Sequence, residues 1–239
     1  KECDWSSDVC SSDLIRRILR MEMSNLKKIQ KPKINANLDI ISTLDELLQL
    51  IEDDEKIYDK LIENMDISNL DESRVSFDSC IFRNVTFDNC TFRYIDLLDV
   101  SFEKCDLSNI DFSEGSIYRT EFINCKMLGS KIEDAHLKDC LFKNILGDYT
   151  TFSFSKFNKV AFEGSSFVSS IFMEVKNKYM NFNDCDFKKS VFSRTYLEGV
   201  DLSNCEIDGI EIGIPELYKV KVNASQGLEL VKLIGVIVE

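Results

Sequence analysis

The segments FDNCTF at 87–92 and FEKCDLSNIDF at 102–112 decide the fold, because in both a bulky apolar residue returns at every fifth position. Followed outward from Phe77 to Ile212, that step visits 28 positions, and 26 of them hold Phe, Leu, Ile or Met; Gly147 and Asn177 alone interrupt it. Sixteen of the 17 phenylalanines fall on this one register. A helix keeps an apolar face with a period near 3.6 and a strand with a period of 2, so neither can bury this set. Two residues ahead of each centre a second inward position recurs: Cys80, Val85, Cys90, Ile95, Val100, Cys105, Ile110, Gly115, Thr120 and Cys125 begin a run of small or branched side chains. The three remaining positions of each unit are mostly Asp, Asn, Ser, Lys, Arg and Glu and face outward. Each five-residue unit is one side of a turning coil.

The number of sides follows from the aromatic series. Phe82, Phe102, Phe122, Phe142, Phe162 and Phe182 are spaced by twenty without interruption, whereas the series Leu97, Ile117, Leu137 holds no aromatic. A coil of four units places like above like. Twenty-eight centres make seven coils, and at a strand spacing of about 4.8 Å the rod is about 34 Å long. The predicted architecture is all-β, a right-handed quadrilateral parallel β-helix with short helical caps at both ends. Gly147 and Asn177 put local regularity in question at ILGDYT (145–150) and VKNKYM (175–180).

This pattern resembles the pentapeptide-repeat family, whose unit is a small residue, a polar one, then Leu or Phe and two variable positions. The resemblance covers residues 67–222, taken as the solenoid. Residues 23–66 are read as an N-terminal helical cap, with Ser42 and Asp45 as a capping box ahead of Leu44, Leu47, Leu48 and Ile51. Residues 223–239 are read as a C-terminal capping helix and tail: Ser225 caps QGLELVKLIG, Gly235 stops it and VIVE (236–239) adds a strand. This ending is similar to that of the Qnr-type quinolone-resistance branch through Gln226, Leu228, Leu230, Val231, Leu233, Ile234, Gly235 and Ile237, and departs from it at Gly227, where alanine is expected. The resemblance implies a homodimer formed end to end through this helix; a helix that only seals the last coil is the alternative. Residues 1–22 are read as an artefactual or disordered leader. CDWSSDVCSSDL within residues 1–14 looks like a translated sequencing adapter, so a natural start falls at Met21 or Met23.

The formal charge of −13 and pI near 4.7 argue against general nucleic-acid affinity, which depends on lysine and arginine releasing counterions from phosphates; no direct DNA binding is expected, and a protein partner is. The longest apolar stretch near the C-terminus, Ile234 to Val238, falls far short of a membrane span, and a cytoplasmic location is expected. Cys80, Cys90, Cys105, Cys125, Cys140, Cys185 and Cys205 all occupy the small inward slot and read as core thiols kept reduced, with Cys3 and Cys10 in the leader. The single histidine, His136, takes an outward slot. No nucleophile constellation, zinc spacing or phosphate-cradling loop appears, so no catalytic, cofactor or metal residue is assigned, and the chain is expected not to be an enzyme.

What the resemblance implies about function is a partial mimic of duplex DNA that occupies the DNA-binding groove of DNA gyrase or topoisomerase IV and protects it from quinolones. The charge distribution is uneven for that role. The outward slots sum to −5 over the repeats centred on Phe77 to Phe112, 0 over Ile117 to Phe152, +3 over Phe157 to Phe192 and −5 over Leu197 to Ile212. Lys156 and Lys159 lie one coil beneath Lys176 and Lys178 and form a basic patch. An interaction scaffold with a partner unrelated to topoisomerases is the alternative reading.

Overall fold

The computed structural model describes residues 28–53 and 56–237; the leader and the last two residues of the tail lie outside them. The chain winds as a quadrilateral parallel β-helix of about seven turns. Strands pair in parallel with a shift of twenty residues, so Phe82 meets Phe102, Phe122 meets Phe142, and Phe142 meets Phe162. We number the sides by their central residues: face 1 carries the Phe82 series, face 2 the Phe87 series, face 3 the Phe92 series and face 4 the Phe77 and Leu97 series.

The backbone turns most corners in the same way. The second residue after nearly every centre lies in the left-handed region, as at Asn64, Asn69, Asn84, Asn89, Asn109, Asn124 and Asn144, with φ between 53° and 59°. Asparagine tolerates this conformation better than most side chains. Stacked asparagines then join the corners: Asn84 Nδ2 donates to Asn64 Oδ1, Asn89 to Asn69 and Asn144 to Asn124, each at 2.9 Å. The fivefold recurrence of Asn was visible in the sequence as polarity, and its conformational meaning is what the structure adds.

The core is a column of phenylalanine rings. On face 1, Phe82, Phe102, Phe122, Phe142 and Phe162 stack with centroids 4.8–5.0 Å apart and planes within 9° of parallel. Phe152, Phe172 and Phe192 stack likewise on face 3, at 4.9 and 4.7 Å. The small inward slots are also hydrogen-bonding slots. Ser155 Oγ donates to Ile132 O at 2.7 Å and accepts from Ala135 N at 2.9 Å, which ties it to the coil below by two bonds. Cysteine thiols do half of this, as where Cys140 Sγ donates to Ile117 O at 3.2 Å. Ser and Cys exchange in this position because each fits and each finds a carbonyl.

Neither interruption of the period opens a loop. Gly147 stays in register, with its N–H on Ser166 O at 2.8 Å. Its missing side chain is filled by the Phe167 ring, against which an added Cβ would lie 2.5 Å from Cε1. Asn177 pairs normally with Phe157 and turns its amide to Tyr196 O at 2.5 Å. Its side chain is half-buried, which thins the core on face 4 of that coil.

The ends differ in detail from the expectation. Parallel pairing already includes Ile57 opposite Phe77 and residues 61–68 opposite 81–88, so the solenoid begins some ten residues before position 67. Helix α1 (Leu44–Glu52) is capped by Thr43, whose Oγ1 accepts from Glu46 N, while Glu46 Oε2 accepts from Ser42 N. The N-cap is thus one residue later than Ser42, and Glu46 in place of Asp45 reaches back to the N–H of the residue before the cap. At the other end Asn223, and not Ser225, caps α2 (Ala224–Leu230) in a reciprocal box with Gln226. A 3-10 turn over Val231–Ile234 follows and ends at Gly235 with φ 79°. Residues 236 and 237 form no strand.

Removing one ring tests the column. Phe142→Ala leaves a cavity between two stacked neighbours and is expected to cost about 3–5 kcal/mol in urea unfolding, whereas Phe154→Ala, the one phenylalanine off the register and 45% exposed, changes stability by less than about 0.5 kcal/mol. Gly147→Ala overpacks the Phe167 site and is expected to cost about 1–3 kcal/mol in the same assay.

Candidate interaction faces

The corner between faces 4 and 1 is covered. Residues 28–38 run along the rod axis as a strap, and the corner side chains of successive coils accept its backbone N–H groups. Asn35 N donates to Ser79 Oγ at 2.9 Å, Lys33 N to Asp99 Oδ1 at 2.8 Å and Gln30 N to Asp139 Oδ1 at 3.0 Å; Asn35 Nδ2 also reaches Asp59 Oδ1. The strap buries Asp99 and Asp139 together with the outward-slot residues Ser101 and Ala161. The helical-cap reading of 23–66 contained no such strap. Its signal in the sequence is indirect: outward slots of face 1 hold Leu61, Ile81, Leu141 and Ala161 where polar residues are the rule.

Arg119 locks this corner. Its Nε and Nη2 donate to Asp99 Oδ1 and Oδ2, both at 2.6 Å. Burial pushes the Asp99 carboxyl up, but Arg119 and the Lys33 N–H outweigh it and hold the carboxyl below the ordinary aspartate value. A cleft of about 650 Å³ lies beside this end of the strap, lined by residues that include Lys28, Lys31, Tyr179, Met180 and Val200.

Many charges on the other faces pair with an opposite charge one coil away. Arg83 sits between Glu63 and Glu103, Lys126 pairs with Asp106, Lys143 with Glu163 and Arg194 with Glu174. Among the described residues, face 4 lacks such pairing in its lysine columns. His136, Lys156 and Lys176 stack in one column, with Lys138, Asn158 and Lys178 in the next. Lys156 Nζ donates to His136 Nε2 at 3.0 Å. The structure therefore brings Lys156, Lys159, Lys176 and Lys178 together as expected, and adds His136 and Lys138 to their patch.

The seven cysteines of the rod are free and buried. Burial pushes the Cys80 thiol up to about 11 and the Cys140 thiol up to about 12. The hydrogen bond with the neighbouring thiol, together with burial, raises Cys125 against Cys105 and Cys185 against Cys205. Protonated thiols of this kind are poor nucleophiles and poor metal ligands. Among the described residues no group of three His, Cys, Asp or Glu side chains is placed to hold a metal ion, and no helix is long and apolar enough to cross a membrane.

The C-terminal segment is sealed by a polar residue. Gln226 is buried and donates Nε2 to Leu202 O and Cys205 O at 2.8 and 2.6 Å, which closes the last coil. The apolar residues named for that task mostly face solvent: Leu228 is 53% exposed, Ile234 60% and Ile237 86%, with Leu233 and Val236 beside them.

Comparison with known proteins agrees with the geometry. The pentapeptide repeat region family matches residues 95–172, and the pentapeptide repeats family, in eight copies, matches residues 179–210. The chain is a pentapeptide-repeat protein. Among solved structures it is similar to QnrB1, a plasmid-mediated fluoroquinolone resistance protein, at 24% identity over 78% of this chain and 91% of that one, with a TM-score of 0.37. It is also similar to HetL, a pentapeptide repeat protein involved in heterocyst differentiation regulation in the cyanobacterium Nostoc, at 10% identity over 76% and 95% with a TM-score of 0.41. A third is a pentapeptide repeat protein of the Arabidopsis thaliana thylakoid lumen, at 18% identity over 56% and 72% with a TM-score of 0.33. A search of curated proteins finds no match.

The strap is testable through Asp99. Asp99→Asn removes the charge that holds both Arg119 and the Lys33 N–H, and is expected to cost about 1–3 kcal/mol and to speed hydrogen exchange at the Lys33 amide. Because the folded-state value is depressed, the contribution of Asp99 is complete above the unfolded-state value of about 3.9 and is lost as pH falls through the lower folded-state value. Acidification of the wild type should therefore speed Lys33 exchange, after correction for intrinsic rates, and the Asn variant should lack that pH dependence.

Proposed function

We propose that the chain is a non-catalytic rod that pairs end to end through its C-terminal segment and offers the acidic junction to the DNA-binding groove of a type II topoisomerase, DNA gyrase or topoisomerase IV, so protecting it from quinolones in the cytoplasm. The observation that carries this reading is the exposure of Leu228, Leu233, Ile234, Val236 and Ile237 on a coil already sealed by Gln226. An apolar set left at the end of a solenoid fits a second copy meeting it there. The last repeats, centred on Leu197 to Ile212, carry −5 in their outward slots. Two copies joined at this end bring twice that charge to one two-fold centre, a shape and sign that suit a symmetric basic groove. The resemblance of residues 226–237 to the Qnr-type ending supports the same arrangement. Mimicry is partial, because the acidic junction is flanked by a basic band on face 4 that no duplex carries. That band favours the second reading, a scaffold for a partner unrelated to topoisomerases.

A supercoiling and cleavage assay with purified gyrase, with and without a fluoroquinolone, separates the readings. Protection by the wild-type chain at micromolar concentration is expected. Leu233→Glu with Ile234→Glu should give a monomer in sedimentation analysis and lose that protection. If the wild type gives neither inhibition nor protection, the topoisomerase reading is removed, and a wild type that sediments as a monomer removes the junction.

A further inference from the structure

Face 4 gathers two residue types that the rest of the rod keeps apart. Five lysines, Lys138, Lys156, Lys159, Lys176 and Lys178, lie with His136 on three successive coils. None of the five is ion-paired with any described residue, although twelve other lysines and arginines of the rod and its ends are. The one carboxylate at these outward positions, Asp139, is buried under the strap, where it accepts the Gln30 N–H. Like charges directly opposite on neighbouring strands destabilise a sheet, and here Lys156 faces Lys176 across one rung. Five of the seven tyrosines of the chain also belong to this face or its corner: Tyr58, Tyr118, Tyr179, Tyr196 and Tyr218. Tyr196 and Tyr218 are each 60% exposed. Lys138 lies over the Tyr118 ring at 5.3 Å and Lys178 over Tyr179 at 5.6 Å.

From this juxtaposition we propose that face 4 binds a short single-stranded stretch of nucleic acid, the lysines taking its phosphates and the exposed tyrosines stacking on its unpaired bases. Cationic columns interleaved with aromatic rings are the arrangement that holds single strands without reading sequence. The net charge of −13 does not oppose this, because at physiological salt the field of the acidic ends is screened within about 8 Å, while bound phosphates touch the lysines. A duplex fits less well. Its stacked bases offer nothing to the tyrosines, and a strand continuing along the rod meets Asp96 and Asp78 below the patch and Glu198 above it. The proposal departs at this face from the expectation of no direct DNA binding, which rested on the net charge of the chain. The proposal is independent of the topoisomerase reading, which uses the C-terminal end.

The test is fluorescence anisotropy of a labelled 12-mer of uridylate and one of thymidylate with the full chain, at 50 and 200 mM salt. Binding is expected at the lower salt, with the affinity falling as roughly the third power of salt concentration if about four phosphates are neutralised. Combined reversal of Lys156, Lys159, Lys176 and Lys178 to Glu should abolish it. Tyr196→Ala should weaken it by about fivefold or more without changing the salt dependence. Urea midpoints check that both variants remain folded. The proposal is overturned if neither 12-mer binds at 50 mM salt, if the lysine reversal binds as the wild type does, or if a duplex of the same length binds as tightly as the single strands. It is equally overturned if an oligoglutamate peptide of matched charge displaces the 12-mer at equal concentration, since that would make the face a site for acidic protein segments.

Discussion

The rise between parallel strands, about 4.8 Å, falls within the range of centroid distances that stacked aromatic rings favour, and the fold is built on that match. When the chain returns every twenty residues to the same azimuth, a phenylalanine meets its predecessor at 4.8–5.0 Å with the rings within 9° of parallel. Ring stacking and backbone pairing then ask for the same coil height, so neither strains the other. Where the series changes, the geometry follows: Phe162 and Phe182 are 5.3 Å apart and tilted by 43°, in the coil where Asn177 replaces an apolar centre and loosens the neighbouring face.

This match explains why the solenoid was legible in the sequence and its trimmings were not. Inward slots recur with period five, so each residue is assigned by position alone, and no long-range contact has to be guessed. Gly147 looked like a break by the same arithmetic because composition is blind to a neighbour's rotamer; the Phe167 ring that fills its place comes from the next coil. The strap was missed for a different reason. Residues 28–38 have no period of their own, and their N–H groups are satisfied by Ser79, Asp99 and Asp139, far away in sequence. The caps were found to within a residue or two, since Thr43 and Asn223 sit beside equally competent Ser42 and Ser225, and only backbone geometry chooses between them.

Function is written in the slots the fold leaves free. Away from the strap, outward positions carry little packing constraint, so their charges record a use or nothing. On face 1 the alternation of Glu63, Arg83 and Glu103 neutralises itself and stabilises the stack. On face 4 five lysines without carboxylate partners among the described residues repel one another. The C-terminal end holds the matching anomaly in hydrophobicity, a set of exposed aliphatic side chains outside a coil that Gln226 has already closed.

These two anomalies lie on different parts of the rod, and that separation bears on how the molecule can work. Joined at their C-termini, two rods would present an acidic centre with a basic band on each arm and acidic tips beyond. A partner that recognises only negative charge would be repelled by the bands, and one that recognises only positive charge by the centre. A surface of this kind is selective by sign and spacing together, a discrimination that a uniformly acidic rod lacks. The five-residue period supplies the ruler: each coil advances the charges by one strand spacing, so the distance from junction to basic band is fixed by the number of coils between Lys178 and Asn223 and not by any flexible linker.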